Sequence, residues 1–366
     1  MTSPENERVL TQEQIDQFLD QGVLVVENIL SQSKLNEANE GLSRTLAEYG
    51  IDTQHVDVTG HSLERLSSTN GSGGVLDLFY PEWKMQVASN SRLFHATREL
   101  WEAAYCHHGE SRDELDDSHI FKWHPYGPFN CERGYMYIDR IGYRIPTAMA
   151  EQLGSSTGKK SKKAKPIQRS LTPHLDCCPD NLFSQKASKW RPIQCFVSLT
   201  DNLEPNTGGF EAALGFHKTF HKWIRPRSAV KNVSFPAPCI GEYTHIRPKE
   251  DRDVMALIQH IPVRAGSAVF WDNRIPHANA YRNDQSEVRA VVYCSFLPDI
   301  KLNREYIRRQ LYNYQRRIPP TDQWINTTKR VVESCRMYRE EEHEPDVESA
   351  AASASLRRKL LGLDPW

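Results

Sequence analysis

The stretch LTPHLDCCPD, residues 171–180, decides how this chain is read. It sets His174 and Asp176 two residues apart. In an extended segment successive side chains point to opposite faces, so these two share one side. Two readings are open at this point: half of a metal site, or a polar turn that contains a histidine. A half-site needs its remaining donor from a distant strand, which calls for a sheet that folds back on itself. Two histidines and one carboxylate on one face of a metal is the donor set of non-haem Fe(II) sites that activate oxygen.

The best candidate for that donor is His277, in VFWDNRIPHANAYRN, residues 269–283, just after an apolar run that reads as a strand. Arg289 follows at the start of VRAVVYCSFL, residues 288–297. A dicarboxylate cosubstrate needs a guanidinium fork in an otherwise apolar pocket, and a strand beside the one carrying the last metal donor is the place for it. The plainer reading of Arg289 is an exposed strand-end residue in a surface ion pair. Arg282 competes with it but reads as a turn residue.

The remainder of the chain limits what such a site serves. Its 366 residues are 39% hydrophobic and 25% charged, enough apolar material for a core. A net charge of −1 and a pI near 6.9 give no basic field for nucleic acid. The opening MTSPENERVLTQEQIDQ has no apolar run of signal-peptide length, and no run of about 18 apolar residues occurs, so no membrane span is expected. An intracellular, cytoplasmic setting is expected, with the eight cysteines reduced. Neighbouring side chains diverge, so CHH at 106–108 is not read as a ligand cluster, and Cys177 and Cys178 read as small buried hydrophobes.

Thr11 with Gln14 fits a helix capping box, Ile15, Phe18 and Leu19 share a helical face, and Gly22 suits the stop. VLVV at 23–26 reads as a buried strand, and a second helix is expected from Ser31 or Ser33 to about Tyr49. Helical spacing returns at 79–106. From residue 120 the pattern becomes β-branched and aromatic, with strands at 134–145, 193–200, 267–271 and 288–297. A helical flank followed by spaced strands predicts a mainly β fold with a jelly-roll core. The expected layout is a disordered start over 1–10 and one domain over 11–300. That domain has its helical flank at 11–119 and its core at about 120–300, and a lysine-rich insertion at 151–168 reads as a mobile loop. A helical extension at 301–366 ends in the amphipathic LRRKLLGLDPW, which either packs back or hangs loosely.

Taken in order, IDQFLDQGVLVVENILS (15–31), TPHLD (172–176), KWRPIQCFVSLTDNLEPNTGGFEAALGFHK (189–218), AGSAVFWDNRIPHANAYRND (265–284) and VRAVVYCSF (288–296) resemble the phytanoyl-CoA dioxygenase family of Fe(II)- and 2-oxoglutarate-dependent oxygenases. The resemblance implies a cupin-like double-stranded β-helix that uses Fe(II), O2 and 2-oxoglutarate. It implies oxidation, most often hydroxylation, of a small molecule such as an acyl-CoA or a specialised metabolite, with 2-oxoglutarate decarboxylated to succinate and CO2. Carried onto this sequence, it makes His174, Asp176 and His277 the iron ligands and Arg289 the anchor of the distal 2-oxoglutarate carboxylate. Trp190 would line the cosubstrate pocket, Asn279 would touch the cosubstrate, and Gln194 would line the pocket or support it. Arg140, Tyr143 or Arg144 would face the pocket from the strand at 134–145. The family's Pro-Gly-Ser-His turn reads Leu214-Gly215-Phe216-His217 here, which leaves His217 without an inherited role. A different class of reading is a non-catalytic jelly-roll module that binds a metal or a partner.

Overall fold

The computed structural model describes residues 8–106, 126–155, 165–179, 187–229, 243–320 and 349–366. The first seven residues, His107 and His108, the lysines at 159–163 and the acidic patch at 339–348 lie outside the described residues.

Eleven strands are described. They are β1 Val23–Val26, β2 Val75–Leu76, β3 Gly134–Arg144, β4 Leu171–Leu175, β5 Ile193–Ser198, β6 Phe210–Ala213, β7 Thr244–His245, β8 Ile258–His260, β9 Ala268–Asp272, β10 His277–Asn279 and β11 Arg289–Pro298. They form two antiparallel sheets, one ordered β1-β9-β5-β11-β3-β2 and the other β7-β4-β10-β6-β8. With helices along one side, this is a jelly-roll core with a helical flank. No helix among the described residues is long and apolar enough to cross a membrane.

The larger sheet is buried on both faces. Along β9, Val269 and Trp271 join Phe196, Phe210 and Ala212 between the sheets. Ala268 and Phe270 face the other way, into a core with Phe18, Leu42, Leu46, Phe94 and Trp101 of the helical layer. Two covered faces explain why IQCFVS and AVFWD read as unbroken apolar runs instead of alternating ones. The C-terminal run packs back: the Trp366 ring lies 5.5 Å from Phe94, its Nε1 donates to the Gly134 carbonyl at 2.8 Å, and Arg357 forks onto Glu82.

Helix Gln12–Gln21 carries the expected capping box on Thr11 and ends at Gly22, whose φ is 71°. A side chain at Gly22 would also come within 2.6 Å of Ile275, in the loop leading to His277. His217 sits beside it in a 3-10 turn, Phe216–Lys218, and pairs with the Leu19 carbonyl at 3.1 Å through Nε2. This histidine therefore fastens the turn to the first helix. Burial pushes its imidazole down to about 4.

The expectation of wholly reduced cysteines does not hold. Cys106, Cys131, Cys177, Cys195 and Cys294 are free thiols, but Cys178 is disulfide-bonded. Cys177 donates its thiol to the Asn273 carbonyl at 3.3 Å. Adjacent side chains diverge, so the two cysteines were bound to differ in surroundings, but only the fold shows which one is cross-linked.

Two outcomes follow. Gly22→Ala should lower stability by about 1–3 kcal/mol, because it forces a left-handed backbone and crowds Ile275; denaturant unfolding measures it. The depressed His217 makes stability complete above the unfolded imidazole value of about 6.5 and erodes it as pH falls toward 4. The loss should reach about 3 kcal/mol across that window, and His217→Gln should flatten it in pH-dependent melts.

Candidate metal centre

Strands β4 and β10 pair antiparallel with His174 directly opposite His277. Such a pairing brings side chains on one face together, and here the ring centroids are 4.5 Å apart. Asp176 lies just past the end of β4. Its Oδ1 is 3.3 Å from His174 Nε2 and its Oδ2 is 3.7 Å from His277 Nε2. The three donor atoms lie within 4.8 Å of one another.

Each imidazole is held by its own backbone. His174 Nδ1 lies 2.8 Å from the Thr172 carbonyl and His277 Nδ1 lies 3.0 Å from that of Ile275. A carbonyl only accepts, so both Nδ1 atoms carry the proton and both Nε2 atoms present lone pairs when the rings are neutral. Two lone pairs and a carboxylate then converge on one point, an arrangement that asks for a cation. Burial alone would push the Asp176 carboxyl up, but the facing imidazoles hold it well below the usual carboxylate range. Burial, and then His174, push the His277 imidazole down. Tyr243 stacks on His174 at 4.8 Å.

Behind the donors stand residues that the sequence did not single out. Arg191 reaches Asp176 Oδ2 at 3.6 Å and Asp139 at 3.3 Å, and lies 4.5 Å over the Tyr137 ring. The loop between β9 and β10 is fixed by a buried trio. Arg274 donates through Nε to Asp272 Oδ1 and through an NH2 group to Asp272 Oδ2, both at 2.7 Å, and to the Tyr105 hydroxyl at 3.0 Å. Tyr105 in turn donates to Asp272. The Arg274 guanidinium keeps the Asp272 carboxyl low in spite of its burial.

Arg289 is completely buried, which rules out the surface ion pair. None of its three side-chain nitrogens has a hydrogen-bond partner among the described residues. Its guanidinium lies 5.2 Å from the Phe196 ring; Phe196 lies 5.9 Å from Trp271, and Trp271 lies 5.1 Å from His277. A row of rings thus leads from the donors to the arginine. Arg282 is exposed and pairs with Asp284 at 2.7 Å, as a turn residue should.

The other expected residues divide. Gln194 lies opposite Trp271 and Ser295, and its amide nitrogen and the Trp271 indole nitrogen both lack partners among the described residues. Asn279 donates to the Gly73 carbonyl and the Tyr293 hydroxyl, each at 3.3 Å. Trp190 packs among Tyr105, Tyr126 and Phe129 on the helical side, so aromatic neighbours hold its ring and no metal donor does. Arg140 is drawn to Asp77 at 4.0 Å and Asp139 at 3.6 Å. Tyr143 belongs to the core under the helices, where burial pushes its phenol up. It is Arg144 that lies opposite Arg289 across β3 and β11, because strand alternation turns the neighbour of an outward residue inward. Burial and then Arg289 push Arg144 down to about 10.

A family described as Gig2-like matches residues 183–357. The match includes His277 and Arg289 and stops short of His174 and Asp176. It carries a different description from the phytanoyl-CoA dioxygenases that the motif order resembles. No curated protein matches the chain. In three dimensions the chain is similar to GlcNAc Inducible Gene 2, GIG2 (DUF1479), of Candida albicans. That similarity has 13% identity, 99% of this chain and 84% of that one covered, and a TM-score of 0.60. It is also similar to a hypothetical protein of Escherichia coli, with 15% identity, 86% and 74% coverage, and a TM-score of 0.59. At these identities the likeness concerns the fold. The non-heme alpha ketoglutarate dependent carbocyclase SnoK from nogalamycin biosynthesis aligns with 12% identity, 79% and 84% coverage, and a TM-score of 0.41, too distant to bear on this chain.

The buried trio yields a prediction. Arg274→Met strands Asp272 as an unpaired buried charge and should destabilise the chain by about 3–5 kcal/mol in denaturant unfolding. Adding Asp272→Leu should return part of that loss, a non-additivity that a double-mutant cycle reads directly.

Proposed function

We propose that this chain is an Fe(II)- and 2-oxoglutarate-dependent oxygenase that hydroxylates a small organic molecule, and that it is kin to the Gig2-like family. The observation that carries the reading is Arg289, a fully buried guanidinium with no partner among the described residues, one row of rings away from a two-histidine, one-carboxylate cluster. An unpaired buried cation is costly, and one kept among apolar rings is suited to a ligand carboxylate.

His174, Asp176 and His277 would hold the metal, with Asp176 offsetting part of its charge. Iron and 2-oxoglutarate together supply a two-electron oxidation with O2, one oxygen atom entering the substrate and the other entering succinate as CO2 leaves. The chain's own part is positional. The Thr172 and Ile275 carbonyls keep both histidines as Nε2 donors. Arg289 anchors the far carboxylate, and Phe196, Phe210 and Trp271 keep water from the space between. Gln194 and Asn279 border that space. Asp176 fills the position that a halide would need, which favours hydroxylation over halogenation. An acyl-CoA or a specialised metabolite is the substrate class that the phytanoyl-CoA dioxygenase resemblance suggests.

Anaerobic protein mixed with Fe(II) and 2-oxoglutarate should develop a visible metal-to-ligand charge-transfer band. Asp176→Ala and Arg289→Ala should weaken or abolish it. A well-folded wild type that shows no band would instead be a non-catalytic jelly-roll module.

A further inference from the structure

Two buried cations stand beyond the row of rings. Arg144 and Arg289 are register partners on β3 and β11, and they are 2% and 0% exposed. Like charges placed directly across a ladder repel, and burial strengthens the repulsion. No carboxylate of the described residues pairs with either one. Arg144 donates to the Arg169 carbonyl and, at 3.4 Å, to the Tyr281 carbonyl, while its Nε has no partner. Arg169 precedes β4 and Tyr281 follows β10, so these contacts place the Arg144 guanidinium at the end of those strands away from His174 and His277. Two glycines make the room. A side chain at Gly74 would meet the Arg144 backbone at 2.8 Å, and one at Gly208 would meet the Arg144 side chain at 3.1 Å. Both have φ near 70°.

We infer that Arg144 and Arg289 together form a two-guanidinium seat for the distal carboxylate of the dicarboxylate cosubstrate. The inference rests on the oxygenase reading and adds to it a second specificity-determining arginine. A single guanidinium fork would leave the Arg144 charge uncompensated; a carboxylate between the two neutralises the repulsion that the fold otherwise carries. The seat is complete without metal, so a dicarboxylate should bind the metal-free protein.

The test uses the full chain freed of metal by chelation, titrated calorimetrically with succinate, 2-oxoglutarate and inorganic phosphate. Succinate and 2-oxoglutarate should bind wild type and raise its melting temperature. Arg144→Gln, which keeps donors for the two carbonyls, should weaken succinate binding about tenfold or more without lowering the melting temperature of the unliganded protein. Arg144→Lys, which keeps the charge, should recover part of the affinity. A purely structural Arg144 would show the opposite pattern, with lower stability and unchanged succinate affinity, and that result overturns the inference. So does the absence of metal-free binding in wild type, or phosphate binding as tightly as succinate. In each of these cases a charge-transfer band with Fe(II) and 2-oxoglutarate leaves the oxygenase reading standing, and its absence removes that reading as well.

Discussion

The register of β4 on β10 is the constraint on which the rest depends. With His174 opposite His277, two imidazoles meet on one face, and a slip of one residue would send one of them to the other. β10 has three residues, too few to hold a register by ladder bonds alone. It is trapped between β4 and β6, and the Asp272–Arg274–Tyr105 trio fixes the loop that delivers it. Tyr105 caps helix Ser91–Ala104, and Asp272 also donates its amide to the Gly22 carbonyl at 2.9 Å. The aim of one histidine is therefore a property of the helical layer as much as of the sheet.

The polar groups buried between the sheets are unevenly balanced. Acceptors gather at His174, Asp176 and His277, and donors without a partner among the described residues stand on Gln194, Trp271, Arg289 and the Nε of Arg144. A core built for stability alone would not bury two arginines as register partners. Elsewhere the fold compensates its buried charge, as where Arg274 meets Asp272. The trio is neutralised, and the Arg144–Arg289 pair has no carboxylate partner among the described residues.

The parts of this architecture written in local pattern were legible in the sequence. The capping box at Thr11, the stop at Gly22 and the apolar runs of β5, β9 and β11 each announce an element from a few adjacent residues. His174 and Asp176 were legible because a spacing of two has meaning on any extended chain. What remained hidden depends on separations that no local pattern encodes. Tyr105 and Asp272 stand 167 positions apart. The inward choice between Tyr143 and Arg144 depends on strand parity, which only the pairing with β11 resolves. Trp190 belongs to a cluster assembled from the far side of the sheet, and Arg191, its neighbour, finds Asp176 only after folding.

Asp176 stands just beyond the last ladder residue of β4, in a bend, whereas both histidines sit within paired strands. The three side chains are therefore positioned by different means. Ladder pairing places the two histidines, and side-chain contacts, Arg191 at 3.6 Å among them, place Asp176. On the proposed reading, strand register sets two of the metal's donors, while side-chain contacts made outside the ladder set the third.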